Sequence, residues 1–263
     1  MTTGLPDAEA LERARLALDL DGAVATITLS RPDRRNSQTP SMWRCLADIG
    51  AALPEEVRVV VLKGAGASFS AGLDVGLLSP EGVPGEESVA ALMHSSDAEV
   101  LDAIDVYQRG FTWLRDPRFV SIAQVHGHAI GAGFQLALSC DLRIVADDAK
   151  FCMKEPALGL VPDLTGTKPL VEIVGYARAL EICATARTVL ADEARELGLA
   201  TAVVPASELD STTALLVEAI LANATGAVWE TKALLQGAAE ADLDEQRLRE
   251  RTAQVRRFRE LAG

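Results

Sequence analysis

Positive charge is in short supply in this chain: 25 lysines and arginines stand against 38 aspartates and glutamates, a formal net charge of −13. That balance argues against a polyanion-binding surface, so neither nucleic acid nor a membrane is an expected partner, while a local basic pocket for one phosphorylated ligand stays compatible with it. Cysteine is sparse as well. Cys45, Cys140, Cys152 and Cys183 form no C-x-x-C pair and lie in apolar or periodic contexts, which fits reduced, buried thiols and a cytoplasmic protein better than a disulfide frame. No apolar run approaches the roughly 20 residues that span a bilayer, and Met1 to Arg15 has neither the basic nor the apolar segment of a secretory signal. Other signatures are missing too. Gly64-Ala65-Gly66 lacks the third glycine of a dinucleotide fingerprint, and neither a G-x-x-x-x-G-K-[ST] loop nor a G-x-S-x-G elbow occurs. His126-x-His128 has no third ligand at a convincing spacing, so no metal site is expected.

What is present reads as an α/β protein. At 263 residues and 49% hydrophobic, the chain can bury a sizeable core as one domain with a helical appendage. Leu16 to Leu20 and Ala23 to Leu29 flank Asp21-Gly22, a two-residue signal for a tight hairpin. Pro40 to Leu53 reads as a helix, and the apolar run Val57 to Leu62 reads as a strand covered on both faces. Leu77 to Asp97, rich in Gly, Pro, Ser and Glu, is expected to be a surface segment able to act as a lid. A helix over Glu99 to Leu114, strands at Val120 to His126 and Leu142 to Ala146, and helices at Ala177 to Thr185 and Ala191 to Glu196 follow, with a last short strand at Thr201 to Val204. Residues 1–204 are expected to form the core and residues 205–263, rich in Ala, Leu and Arg, a helical region.

Two small-residue turns carry the chemistry. Val125 to Leu138 runs through Gly131-Ala132-Gly133 from strand into helix, where backbone N–H groups can face a buried anion, and Phe69-Ser70-Ala71-Gly72-Leu73-Asp74 follows another apolar strand. Glu155 and Asp163 lie downstream, and two carboxylates suit proton transfer next to a carbonyl. Other readings of these acids are a surface pair of Glu155 with Lys154 and an Asp163 that caps a helix starting near Thr165.

The order of these elements, with Ser30-Arg31-Pro32, Phe69 to Asp74, Gly131-Ala132-Gly133, Cys140-Asp141 and Lys154-Glu155 through Gly159, resembles the crotonase (enoyl-CoA hydratase/isomerase) superfamily over nearly the whole chain. The resemblance implies a crotonase-like spiral of ββα units with a C-terminal helical subdomain that assembles trimers or hexamers. It implies that the N–H groups of Leu73 and Ala132 grip the thioester oxygen of an acyl-CoA. It also implies that Arg31, Arg34 and Arg35 meet the nucleotide end of coenzyme A, for which arginine forks suit phosphate. No cofactor is implied beyond coenzyme A as the substrate's carrier.

Family hydratases have one glutamate where Gln135 stands and a second where Glu155 stands; an amide hydrogen-bonds but does not act as a base. The pair Glu155 and Asp163 is similar to the dienoyl-CoA isomerase branch, although that branch has an aspartate at the Gln135 position. The leading expectation is therefore double-bond migration in an enoyl- or dienoyl-CoA. Hydration of a 2-enoyl-CoA, with Gln135 positioning water, is the first alternative, and acyl-CoA binding without turnover the second.

Overall fold

A computed structural model describes residues 4–79 and 81–263. A short N-terminal helix, α1 (Ala8–Arg13), leads into the hairpin β1 (Leu16–Asp21) and β2 (Val24–Leu29). Asp21 pairs with Val24, so the turn residues are Gly22 and Ala23, one place later than the sequence signal, with Gly22 at φ +53° in a position that favours positive φ. Helix α2 (Pro40–Ala52) begins with Thr39 accepting from the Met42 amide and with Pro40 at its first position. Strand β3 (Val59–Gly64) follows. The segment expected to act as a lid contains a 3₁₀ turn at Val75–Leu78 and the one-turn helix α3 (Val89–Leu92), and α4 (Asp97–Thr112) starts at its end with a complete Ser96/Glu99 capping box. Next come β4 (Val120–Val125), β5 (His128–Ile130), α5 (Ala132–Ser139), β6 (Leu142–Ala146) and β7 (Lys150–Cys152). The remaining core elements are α6 (Thr167–Val174), α7 (Tyr176–Thr185), β8 (Val189–Leu190), α8 (Ala191–Glu196) and β9 (Ala202–Val204). Three helices close the chain: α9 (Leu209–Leu221), α10 (Thr225–Gly237) and α11 (Leu243–Leu261).

The large sheet has the order β1-β2-β3-β4-β6-β9 and is parallel from β2 onward. Its central strand is covered on both sides, as its apolar run predicts. Val60 and Leu62 point into the main core with Met42, Leu46, Phe111 and Phe134, while Val59 and Val61 point the other way against Leu209 and Val217 of α9. The strand expected over Val120 to His126 is β4, and a second strand, β5, not expected from the sequence, follows it. Gly127, at φ +57°, diverts the chain after β4, so that β5 joins β7 and β8 in a separate three-stranded sheet.

Helix α10 is fastened to this frame by a buried cation. Lys232 on α10 donates to the carbonyls of Asp116 and Phe119 and to Asp141 Oδ2, at 2.6, 2.7 and 2.7 Å. The same carboxylate oxygen accepts from the Ser121 amide and hydroxyl, and burial pushes the Lys232 ammonium below its ordinary pKa.

Candidate active site

The first small-residue turn is laced to the small sheet and to the arginine-bearing loop through Ser70. The Ser70 amide donates to the His128 carbonyl at 2.7 Å, and its carbonyl accepts from Ile130 at 3.0 Å. Its hydroxyl donates to the Asn36 carbonyl at 2.7 Å and accepts from Gln38 Nε2 at 3.0 Å. These bonds carry Gly72 onto the second turn. A β-carbon at Gly72 would run into the Ile130 carbonyl oxygen and stand 3.4 Å from the Ala132 nitrogen, and its φ of +86° disfavours any side chain. Among the described residues, neither the Leu73 nor the Ala132 amide has an acceptor; Ala132 is the first residue of α5, where N–H groups are unpaired by construction. The two turns expected to form an anion grip are thus in contact, with both amides uncommitted.

Glu155 lies beside them. The β5–β7 pairing sets Ile130 against Cys152, the Gly131 amide donates to the Cys152 carbonyl at 2.8 Å, and Glu155 then opens a 3₁₀ turn three residues on. A β-carbon on Gly131, at φ +50°, would stand 3.2 Å from Glu155 Oε1, so the carboxyl rests on a surface that only glycine provides. Gln135 Nε2 donates to Glu155 Oε1 at 2.7 Å, and Glu155 Oε2 is buried with no partner among the described residues. Burial holds the Glu155 carboxyl above the ordinary glutamate pKa, its own backbone N–H, the Gln135 bond and the Lys154 amide pull it down, and the Asp163 carboxylate opposes ionisation further. Glu155 is therefore no surface partner of Lys154.

Asp163 also sits in partly buried surroundings that raise its pKa, and its backbone carbonyl accepts from Gln108 Nε2 at 2.6 Å. It caps no helix: α6 starts at Thr167 behind Gly166, without a side-chain cap. The arginines divide. Arg31 is turned inward to Asp74 at 2.6 Å and to Ser37, with its side chain 15% exposed, whereas Arg34 and Arg35 are exposed on the loop. That loop is zipped to the first turn, since Ala71 donates to the Arg35 carbonyl and Gln38 to the Gly72 carbonyl. His126 and His128 do not share a site; one ring nitrogen bonds the Gly66 carbonyl and the other residue's ring bonds the Ser68 hydroxyl.

One contributor, Gln108, escapes a reading of the sequence, and so do the contacts that seat Gln135, a residue the sequence does place in the pocket. Gln108 is 55 residues from the carbonyl it holds, and nothing in the periodicity of α4 marks it. Gln135 accepts at Oε1 from the amides of Leu164 and Gly166, and no local motif announces that contact.

The family model for enoyl-CoA hydratase/isomerase matches residues 19–262. The peroxisomal delta(3,5)-delta(2,4)-dienoyl-CoA isomerase of Arabidopsis thaliana is 32% identical over 228 residues, covering 86% of this chain and 81% of the relative. The short-chain-enoyl-CoA hydratase of Clostridium acetobutylicum is 30% identical over 237 residues, covering 89% and 85%. Among solved structures, a protein of Thermobifida fusca YX assigned as an enoyl-CoA hydratase, in complex with CoA, superposes with a TM-score of 0.95 at 53% identity over 99% of both chains. The same assignment in complex with acetoacetyl-CoA gives a TM-score of 0.94 at 54% identity, over 97% of this chain and 99% of the other.

Proposed function

The chain belongs to the enoyl-CoA hydratase/isomerase family and is an acyl-CoA enzyme, and from that premise we propose that it moves a carbon–carbon double bond along an enoyl- or dienoyl-CoA. The observation that carries this reading is Glu155: one carboxyl oxygen is bonded to an amide, the other is free of partners, and both lie beside two uncommitted backbone N–H groups.

On a 3-enoyl thioester, Glu155 removes a proton from C2, and the C–H electron pair passes to the thioester oxygen. The dienolate oxygen is held by the Leu73 and Ala132 amides, with the α5 N-terminus adding favourable potential. Charge then returns to carbon, C2=C3 forms, C3=C4 is consumed, and Asp163 delivers a proton at C4, or at C6 for a 3,5-diene. Glu155 passes its proton to solvent, Asp163 regains one, and no atom is left over. The raised pKa of both carboxyls supports this traffic, because each is a stronger base than an ordinary carboxylate and holds its proton to a higher pH. Arg34 and Arg35, rather than the engaged Arg31, meet the phosphates of coenzyme A, which enters as the substrate's carrier and not as a cofactor. The exposed apolar residues of α11, among them Leu248, Val255 and Phe258, support assembly into a homotrimer or homohexamer.

Hydration of a 2-enoyl-CoA is the second reading, supported by the 53% identity with the Thermobifida protein. Thioester absorbance separates the two: isomerisation of a 3-enoyl-CoA creates conjugation, while hydration of crotonyl-CoA consumes it. The expected result is a rise with 3-enoyl-CoA, abolished by Glu155→Gln, and little change with crotonyl-CoA. Tight binding with neither change, and no solvent deuterium entering the acyl chain, would mean a binder without turnover.

A further inference from the structure

We propose that Gln135 is a positioning residue that clamps Glu155 by one oxygen, leaves Oε2 as the sole proton-transfer atom, and thereby sets the site against adding water. This deepens the isomerase reading and rests on it for its second half.

Gln135 lies on α5 with no exposed surface. An amide oxygen has two lone pairs, and both are taken here, by the Leu164 amide at 2.9 Å and the Gly166 amide at 3.1 Å. The side-chain amide has therefore one permitted orientation. Turned over, its NH₂ would face two N–H donors and its oxygen would face a carboxylate. Gly166 is part of the seat, because a β-carbon there would stand 2.6 Å from Gln135 Cγ. The NH₂ end is thus aimed at Glu155 Oε1, where the bond measures 2.7 Å.

Two consequences follow from that fixed donor. The first concerns Glu155, whose Oε1 is occupied and whose Oε2 is buried without a partner. Oε2, which has no hydrogen bond to give up, is the oxygen that takes the substrate proton. The second concerns water. Gln135 Oε1 is filled, so toward a water Gln135 presents only its remaining N–H, which would bind the lone pair that has to attack carbon, and Glu155 Oε2 is left both to take the water's proton and to return one to the acyl chain. The other ionisable groups around Glu155 are Asp163, Lys154 and the thiols of Cys152 and Cys183, and burial keeps both thiols neutral. Of these only Asp163 is a further acceptor, and in the proposed reaction it serves the far end of the double bond.

The test uses the full-length enzyme carrying ¹³C-carboxyl-labelled glutamate, with Glu155 identified by its loss in Glu155→Gln. Removing the clamp in Gln135→Met takes a hydrogen bond from the carboxylate, so the Glu155 titration midpoint is expected to rise by about one unit or more, and the acid limb of 3-enoyl-CoA isomerisation to move with it. Gly166→Ala, which dislodges Gln135 without replacing it, is expected to shift the midpoint in the same direction, and it carries the test if the methionine variant does not fold. Gln135→Glu, which supplies an acceptor, is expected to raise the ratio of hydration to isomerisation at least tenfold. A midpoint and acid limb unmoved in the variants would overturn the clamp, and an unchanged ratio in Gln135→Glu would overturn its influence on water addition. A wild type that does not isomerise, yet whose Glu155 midpoint moves on loss of Gln135, sinks the proposed reaction and leaves the clamp standing.

Discussion

Burying Glu155 with one oxygen bonded and the other alone costs stability whenever the group is charged. Its pKa is raised on folding, mainly by burial, so the folded chain holds that proton more tightly than the unfolded one. The associated stabilisation is complete below the ordinary glutamate pKa and is lost as pH climbs through the raised value. Glu155→Gln is accordingly expected to melt higher than wild type at neutral pH while losing activity, with the gap closing on acidification; calorimetry across pH 4 to 8 checks this, and a lower-melting variant at neutral pH would count against it. Catalysis has the opposite sign, since the base must be ionised, so the acid limb of turnover should lie above the ordinary glutamate range. Gly72→Ala places a side chain at φ +86° against the Ile130 carbonyl. It should cost at least about 1–2 kcal/mol of stability and, by shifting the Leu73 amide, lower kcat by about 10² to 10³, measurable by denaturant melts and steady-state kinetics. At this scale the strings that the fold brings together were legible in the sequence, because Gly72, Gly131 and Glu155 sit in short motifs of distinctive residue types. The seat of Gln135 was not, because its two donors lie 29 and 31 residues away and are anonymous backbone amides.

Among elements, those with a full period of burial were readable, and of the shortest strands only β9 was. The valine run of β3 and the 16-residue α4 declare themselves, whereas β5, β7 and β8, of three, three and two residues, hold too few side chains to show alternation. They exist because Gly127 redirects the chain and because each finds a partner. The Cys140-Asp141 string shows the same limit. Its aspartate is a structural anchor for α10, and Lys232, 91 residues later, carries no local sign of the match. Lys232→Ala would strand a buried carboxylate and is expected to destabilise the protein by about 3–5 kcal/mol, read from urea midpoints. Lys232→Met, which keeps the packing, still strands Asp141 and should recover only part of that loss.

Across the whole molecule, the C-terminal helices leave Leu215, Leu235, Leu243, Leu248, Val255 and Phe258 exposed. Sedimentation at micromolar concentration is expected to give three or six times the 27.9 kDa chain mass, and a monomer there would remove the proposed assembly. The fastening of Ser70 reaches further than its size suggests. One hydroxyl ties the loop of Arg34 and Arg35 to the backbone that precedes Leu73, so under the proposed reading the far handle of a long ligand and its reactive end would be read by a single strip of chain. A thioester clipped to its pantetheine arm should then lose turnover as well as affinity, since the energy gained at the handle no longer steadies the grip on the carbonyl.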